Sequence, residues 1–306
     1  MMHDLVFVAR TRDEALLSAS SSGGIFSELA RMVIRKGGVV IGAAFGEKAS
    51  EVKHVVARDE FGLAKLRGAK YVRSNIEEVV SDGVLSDGRA PALFSGTPCQ
   101  VAAVRKQMKA KGEEWNDNLL LVEVVCHGVP QQNAVEAYLK DVKAIDFRDK
   151  STGWKSYSTG GQVWWKNPFM RGYVANLYPE DGCTRCPFKN GKSGADISLG
   201  DYWNAEERFP AFADDRGASL VVVRTERGRK AWAEIVANVI AEESDMDHAV
   251  AGNPALAQSF ALHPKAAQFA TDIRRNVPFE RAVDRALRPW WRRMRSSVKG
   301  LFAGLR

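Results

Sequence analysis

Apolar positions along the chain change period several times, from short unbroken runs of strand length to stripes at helical spacing. That alternation predicts an α/β architecture of mixed sheets with flanking helices. The first legible unit is Ser20-Ser21-Ser22-Gly23-Gly24, then Ile25, Phe26, Leu29, Met32 and Val33 at helical spacing, then Gly37-Gly38 and the apolar run Val39 to Phe45. It reads as loop, helix, glycine stop and strand. Two later units share a second pattern. Ala92-Leu93-Phe94 runs into Ser95-Gly96-Thr97-Pro98-Cys99 and a helix from about Gln100, and Leu119 to Val125 runs into Cys126-His127-Gly128-Val129-Pro130 and a helix from about Gln131. Each cysteine sits where a strand ends. If the two strands are parallel neighbours, as right-handed crossovers favour, both cysteines emerge at one carboxyl edge, where sites in open α/β sheets form.

Beyond Asp146 the chain turns rich in Gly, Lys and Trp, and Trp154, Trp164 and Trp165 are expected in antiparallel strands before the loop Gly182-Cys183-Thr184-Arg185-Cys186-Pro187. Another strand at Ser219 to Val223 and a helix at Arg229 to Val239 follow. From Ala241 onward the pattern reads as helical and less regular, an extension that wraps the body and ends in a basic tail.

Composition narrows the class. The chain has 306 residues, 45% hydrophobic and 26% charged, enough for one large core or two smaller ones. Its start carries acids where a signal peptide would continue its apolar run, and no stretch reaches the roughly 18 apolar residues of a membrane span, so a cytoplasmic location is expected. The formal charge of +7 is concentrated in Arg288, Arg292, Arg293, Arg295, Lys299 and Arg306. The body is therefore near neutral, which argues against a nucleic-acid surface. Four cysteines are too few for a secreted disulfide scaffold, so metal binding or catalysis becomes the question.

Cys183 and Cys186 in one loop place two thiolates on one centre, and Cys99 and Cys126 are the remaining candidates for further ligands. Four thiolates suit a tetrahedral zinc or a cubane alike. Packing cysteines or a redox-active Cys183/Cys186 pair are the competing readings. Hydroxyls and bare N–H groups at Ser22, Gly23 and Gly24 suit phosphate oxygens, although serine also serves as an ordinary helix cap. Gly68 to Ser74 sets Lys70, Arg73 and Tyr71 in a strand-like stretch suited to a diphosphate or a flavin ring. His127, beside Cys126, suits donation to a cluster sulfur or a flavin. Asp196 and Asp201 suit a ribityl hydroxyl or Lys70, or simply cap turns.

Taken together, the blocks SSSGGIFSELA (20–30), GGVVIGAAF (37–45), RGAKYVRSN (67–75), FSGTPCQ (94–100), VCHGVP (125–130), FRDKSTGWKSY (147–157), CTRCPFK (183–189) and ADISLGDYW (195–203) resemble the beta subunit family of coenzyme F420 hydrogenases and dehydrogenases, including its bacterial single-chain relatives. The resemblance runs nearly end to end. It implies an iron-sulfur flavoprotein oxidoreductase with one 4Fe-4S cluster and a noncovalent FAD at the strand carboxyl ends. Cys99, Cys126, Cys183 and Cys186 would ligate the cluster, and Ser22, Gly23, Gly24, Lys70, Tyr71, Thr97 and Gln100 would surround the flavin.

The resemblance also implies a division into a flavin-binding module at 1–82, an iron-sulfur module at 83–245 and a helical basic extension at 246–306. No appended ferredoxin run of cysteines is present, so electrons are expected from a separate ferredoxin or partner subunit. The second substrate would be an organic hydride donor or acceptor, either the deazaflavin coenzyme or a biosynthetic substrate, since bacterial relatives occur with polysaccharide-synthesis genes. The alternative function is a zinc-stabilised accessory protein of a biosynthetic complex, or a thiol enzyme without metal. For the tail, Trp290, Trp291 and the neighbouring cations suit peripheral contact with an anionic membrane or docking on the body or a partner.

Overall fold

The structure is a computed structural model describing residues 3–81, 90–111, 118–154, 158–159 and 162–287, so the basic tail lies outside the described residues. Strands β1 (Leu5–Thr11), β2 (Val39–Phe45), β3 (Val52–Ala57), β4 (Ser74–Asn75), β5 (Ala92–Gly96) and β6 (Leu119–Val124) precede a two-stranded hairpin, β7 (Ser158–Thr159) and β8 (Gln162–Val163). Then come β9 (Ile197–Asp201), β10 (Ser219–Val223) and β11 (Val239–Ser244). One mixed nine-stranded sheet has the order β11-β1-β10-β9-β6-β5-β2-β3-β4.

Its middle, β2-β5-β6-β9, is parallel. The pairing of β5 with β6, from Ala92 opposite Leu119 to Gly96 opposite Glu123, sends the residues before Cys99 and Cys126 out at the same edge, as the two strand-cysteine units predict. Outside this parallel centre β1, β10 and β11 run antiparallel to their neighbours.

The helices are α1 (Glu14–Ser18), α2 (Ile25–Arg35), α3 (Glu60–Leu66), α4 (Glu77–Ser81), α5 (Pro98–Lys111), α6 (Gln132–Leu139), α7 (Pro168–Val174), α8 (Glu226–Ile235), α9 (Met246–Gly252), α10 (Ala266–Arg274) and α11 (Phe279–Leu287). The pleat separates their packing partners. Leu93, Leu120 and Val122 point to the face where Leu29 and Val33 of α2, Leu63 of α3 and Trp232 of α8 are buried. Phe94, Leu119 and Leu121 point the other way, onto Val101, Val104 and Met108 of α5. Each such side chain contributes about 1.5–3 kcal/mol by leaving water. Helix α2 ends as its glycines predict: Gly37 adopts φ 75° and donates to Ile34 O at 2.9 Å, closing the helix before β2.

Several sequence expectations need correction. The helix predicted over 229–239 spans Glu226–Ile235, and Val239 together with 241–244, predicted helical, lies in the edge strand β11, paired with β1 from Val6↔Ser244 to Thr11↔Val239. Its sequence VIAEES has helix-favouring residues, and its partner lies more than two hundred positions away, so local propensity misleads. Trp154, Trp164 and Trp165 lie outside β7 and β8, and of the expected 68–74 strand only Ser74 enters the sheet, as the first residue of the two-residue β4. Within 246–287, α10 and α11 pack with α6 and α7 around Phe169, Tyr178, Phe269 and Phe279. No helix among the described residues is long and apolar enough to cross a membrane.

Candidate functional site

A cavity of about 320 Å³ opens at the carboxyl ends of β5, β6 and β9. Ser95 to Thr97, Val124 to Cys126 and Leu199 to Asp201 line its base, the 20–27 segment forms one wall and the 66–74 segment another. Residues from 1–82 and from 83–245 therefore share one cavity.

Of the Ser-Gly triplet, Ser22 and Gly24 line the cavity. Gly23 turns away to fasten the loop: its N–H donates to Ser219 Oγ at 2.9 Å and its carbonyl accepts from Thr11 at 2.7 Å. A Cβ there would meet Ala9 O at 2.3 Å. Ser22 Oγ donates to Ala218 O at 2.9 Å and accepts from Ser219 Oγ at 3.4 Å, which leaves one lone pair as an acceptor. Gly24 caps α2 without a side chain, so the cationic end of an 11-residue helix meets the cavity bare.

Lys70, Tyr71, Thr97, Gln100 and His127 all line the same cavity. The half-buried Lys70 ammonium donates to Leu66 O at 2.9 Å and Arg67 O at 2.6 Å, closing the end of α3, and burial pushes its pKa down to about 8. Tyr71 packs on Tyr173 at 4.7 Å and on the edge of Phe147 at 5.4 Å. Gln100 Oε1 accepts from Thr97 N at 2.9 Å while Nε2 donates to Ser74 O at 2.9 Å, so it ties the start of α5 to β4. Burial, then the neighbouring Lys189 charge, holds the His127 imidazole below its ordinary pKa.

The two aspartates part company. Asp196 accepts from Leu121 N at 2.8 Å and Thr225 Oγ1 at 2.6 Å, pinning β6 to the start of α8 outside the cavity. Asp201 lines the cavity and pairs with Arg148 at 2.6 Å. Neither is a partner of Lys70 in these bonds.

The cysteines are free and partly exposed. Cys99 lies in the first turn of α5, Cys126 follows β6, and Cys183 and Cys186 flank the end of a 3-10 turn at Asp181–Arg185. The loop after β6 is laid directly on that turn: Gln131 N donates to Tyr178 O at 2.8 Å and Glu180 N to Val129 O at 2.9 Å. Gly128, at φ 90°, makes this contact possible, since a Cβ would meet Phe260 at 2.7 Å and the Cys183 Cβ at 3.3 Å.

Burial pushes the Cys126 thiol up to about 11, against the pull of Lys189 and a hydrogen bond from the Gly128 N–H; Cys99 and Cys183 act on it as neighbouring charges. Burial likewise raises Cys183, opposed by the Val129 N–H and Arg73. Cys99 and Cys183 in turn act on Arg73, whose Nε donates to Glu180 at 2.7 Å. Cys99, Cys126 and Cys183 thus form one electrostatic neighbourhood, and Cys186 adjoins it through its turn, its N–H bound to Ser259 Oγ at 3.0 Å. Among the described residues no three His, Cys, Asp or Glu side chains stand as a cage for a single metal ion.

Arg148 and His54 are among the cavity residues that the sequence pattern does not mark. Arg148 lies within the 147–157 block, where nothing in its spacing marks a role. His54, 2% exposed, sits on β3, where only its place in the alternating run VKHVVA could have marked it. Its Nε2 meets Ser95 O at 2.9 Å, and a carbonyl partner makes that nitrogen the donor. The buried Nδ1 has no partner among the described residues.

The family model for the C-terminal part of the coenzyme F420 hydrogenase/dehydrogenase beta subunit matches residues 91–249, just over half of the chain. The chain is 25% identical over 268 residues to the coenzyme F420 hydrogenase subunit beta of Methanococcus voltae, across 84% of this chain and 89% of that one. It is 26% identical over 265 residues to the subunit of the same name from Methanosarcina barkeri (strain Fusaro / DSM 804), across 80% and 82%. A chain in the solved F420-reducing NiFe hydrogenase complex from Methanosarcina barkeri superposes with a TM-score of 0.56 at 21% identity, covering 90% of this chain and 89% of that one, a likeness of fold.

Proposed function

The chain belongs to the coenzyme F420 hydrogenase/dehydrogenase beta subunit family of oxidoreductases, and from that premise we propose that it binds FAD in the cavity and a 4Fe-4S cluster on Cys99, Cys126, Cys183 and Cys186. The observation that carries the proposal is the double position of Cys126: it lines the cavity, and its loop lies against the turn that bears Cys183. One element thereby joins a ligand cavity to a group of thiols.

The donor set fits a thiolate-ligated cluster. Four free cysteines come from three separate elements, the backbone N–H groups of Gly128 and Val129 favour the thiolate forms of Cys126 and Cys183, and the cation Lys189 stands beside them. Hydrogen bonds to ligand sulfurs and nearby charge are the levers by which proteins tune such centres. When bound, the cluster supplies single-electron exchange and the flavin converts it to paired exchange with an organic partner.

In the cavity, the bare start of α2 would hold phosphate oxygens, the Ser22 hydroxyl, its proton spent on Ala218 O, would accept from a ribityl hydroxyl, and the Lys70 ammonium would add positive charge to the lining. Val124, 39% exposed although apolar, and Tyr71 would offer surface to an aromatic ring. The second substrate would be an organic hydride donor or acceptor, deazaflavin or biosynthetic. A ferredoxin or partner subunit would exchange electrons at the cysteine side.

Anaerobic purification with iron, sulfide, zinc and released-flavin analysis of one sample tests the reading. About four iron and four sulfide with one FAD per chain is the expected result. Stoichiometric zinc without flavin would overturn it in favour of an accessory protein.

A further inference from the structure

Lys189 carries a charge that its surroundings do not balance. Its residue is 8% exposed, its Nζ donates to the carbonyl of Cys126 and to Ala255 O at 2.7 Å, and no carboxylate pairs with it among the described residues. Carbonyl dipoles solvate an ammonium but do not neutralise it, and a buried unpaired charge is costly. The carboxylates of the site, Asp201 and Glu180, are already paired with Arg148 and Arg73, and the thiols beside Lys189 would supply negative charge as ligands of a cluster. Lys189 stands against Cys126 and follows Cys186 by three positions.

We propose that Lys189 is the charge-compensating residue of the cysteine site, a positioning residue whose ammonium offsets the charge of the thiolate-ligated cluster and holds its reduction potential up. The inference rests on the cluster reading above. Reduction adds one negative charge to the site, and a fixed cation nearby stabilises the more negative state more than the less negative one. The potential therefore rises with Lys189 in place, which sets how readily electrons accumulate beside the cavity. Because net charge is among the determinants of cluster potential, the effect is separable from holding the loop. Lys189 also performs the latter task, tying the Cys126 carbonyl to the 255 segment.

Lys189→Gln keeps a donor for those carbonyls and removes the charge, and Lys189→Arg keeps the charge. In anaerobic titrations of the full chain followed by electron paramagnetic resonance, Lys189→Gln is expected to retain iron and sulfide and to lose on the order of tenfold in the reduction equilibrium, about 59 mV for a one-electron couple. Lys189→Arg is expected to stay at the wild-type midpoint. Loss of the cluster in Lys189→Gln and not in Lys189→Arg also supports the assignment. Lys189→Met, which has no donor, repeats the fall if charge is the cause and serves if Lys189→Gln does not fold. An unchanged midpoint in a fully loaded Lys189→Gln protein, or equal shifts in the Gln and Arg variants, overturns it. Wild-type protein without iron overturns the cluster reading itself, and the inference with it.

Discussion

Arg148 donates through Nη1 to Asp201 Oδ2 at 2.6 Å, its side chain 3% exposed and that of Asp201 16%. The pair joins the 147–154 segment to the end of β9 at the cavity, and Arg148 also donates to Trp154 O at 2.7 Å. Removing one partner leaves the other charge buried. Asp201→Asn is expected to cost about 3–5 kcal/mol in denaturant unfolding. The double variant Arg148→Met/Asp201→Leu should lose less than the sum of the two singles, because no charge is then stranded. Strict additivity would show that the two do not act as a pair.

Cys183→Ser and Cys126→Ser separate the two halves of the site. Both are expected to drop iron from about four per chain to a small fraction. Only Cys126→Ser should also alter flavin affinity, since Cys126 lines the cavity and Cys183 does not. Iron analysis and flavin fluorescence on the same preparations read both, and full iron content in either variant would remove that residue from the ligand set.

Gly23→Ala tests the seat of the serine loop. The added methyl meets Ala9 O at 2.3 Å and Ser219 N at 2.8 Å, backbone atoms of β1 and β10. Overpacking of this kind costs about 1–3 kcal/mol. A lower melting temperature and weaker FAD binding are expected together. Gly182→Ala, where a Cβ has nothing within 4 Å, should stay within about 0.5 kcal/mol of wild type.

His54 predicts an acid-side loss of stability. Burial lowers its pKa from 6.5 to about 4, opposed by its hydrogen bond to Ser95. Since the folded value lies below the unfolded one, unfolding takes up a proton in this range. The contribution is complete above about pH 6.5 and is lost as pH falls toward 4, up to about 3 kcal/mol in all. His127 and His263 shift the same way, so the comparison must be with His54→Gln. The wild-type advantage in urea unfolding should shrink between about pH 7 and pH 4.5, and parallel pH profiles would refute the assignment.

Legibility in the sequence tracked how local each signal was. Strands β2 and β10 stand where their apolar runs end and begin, and the β5 and β6 units were read with their parallel partnership. β1 and β11 carry no such local signal, because their burial is set by partners distant in sequence, Val6 opposite Ser244 being the clearest case, whereas β3 pairs with its chain neighbour β2, Phe45 opposite Val52, and is masked by Lys53 and His54 within its apolar run. Asp196 looked like a site carboxylate from its spacing, yet it spends both oxygens on Leu121 and Thr225.

By itself the sequence determined the residue types and the punctuation: thiols after apolar runs, hydroxyls and glycines before a helix, and a block order that marks the family. Those are properties of short segments, where backbone preference and periodicity act. Only the tertiary structure decided that Gly23 fastens the loop while Ser22 and Gly24 face the cavity, that Arg148 closes on Asp201, and that Lys189 stands buried against Cys126. Each of these depends on which distant backbone or charge arrives beside the residue, and that is fixed by sheet order and close packing rather than by neighbours in the chain.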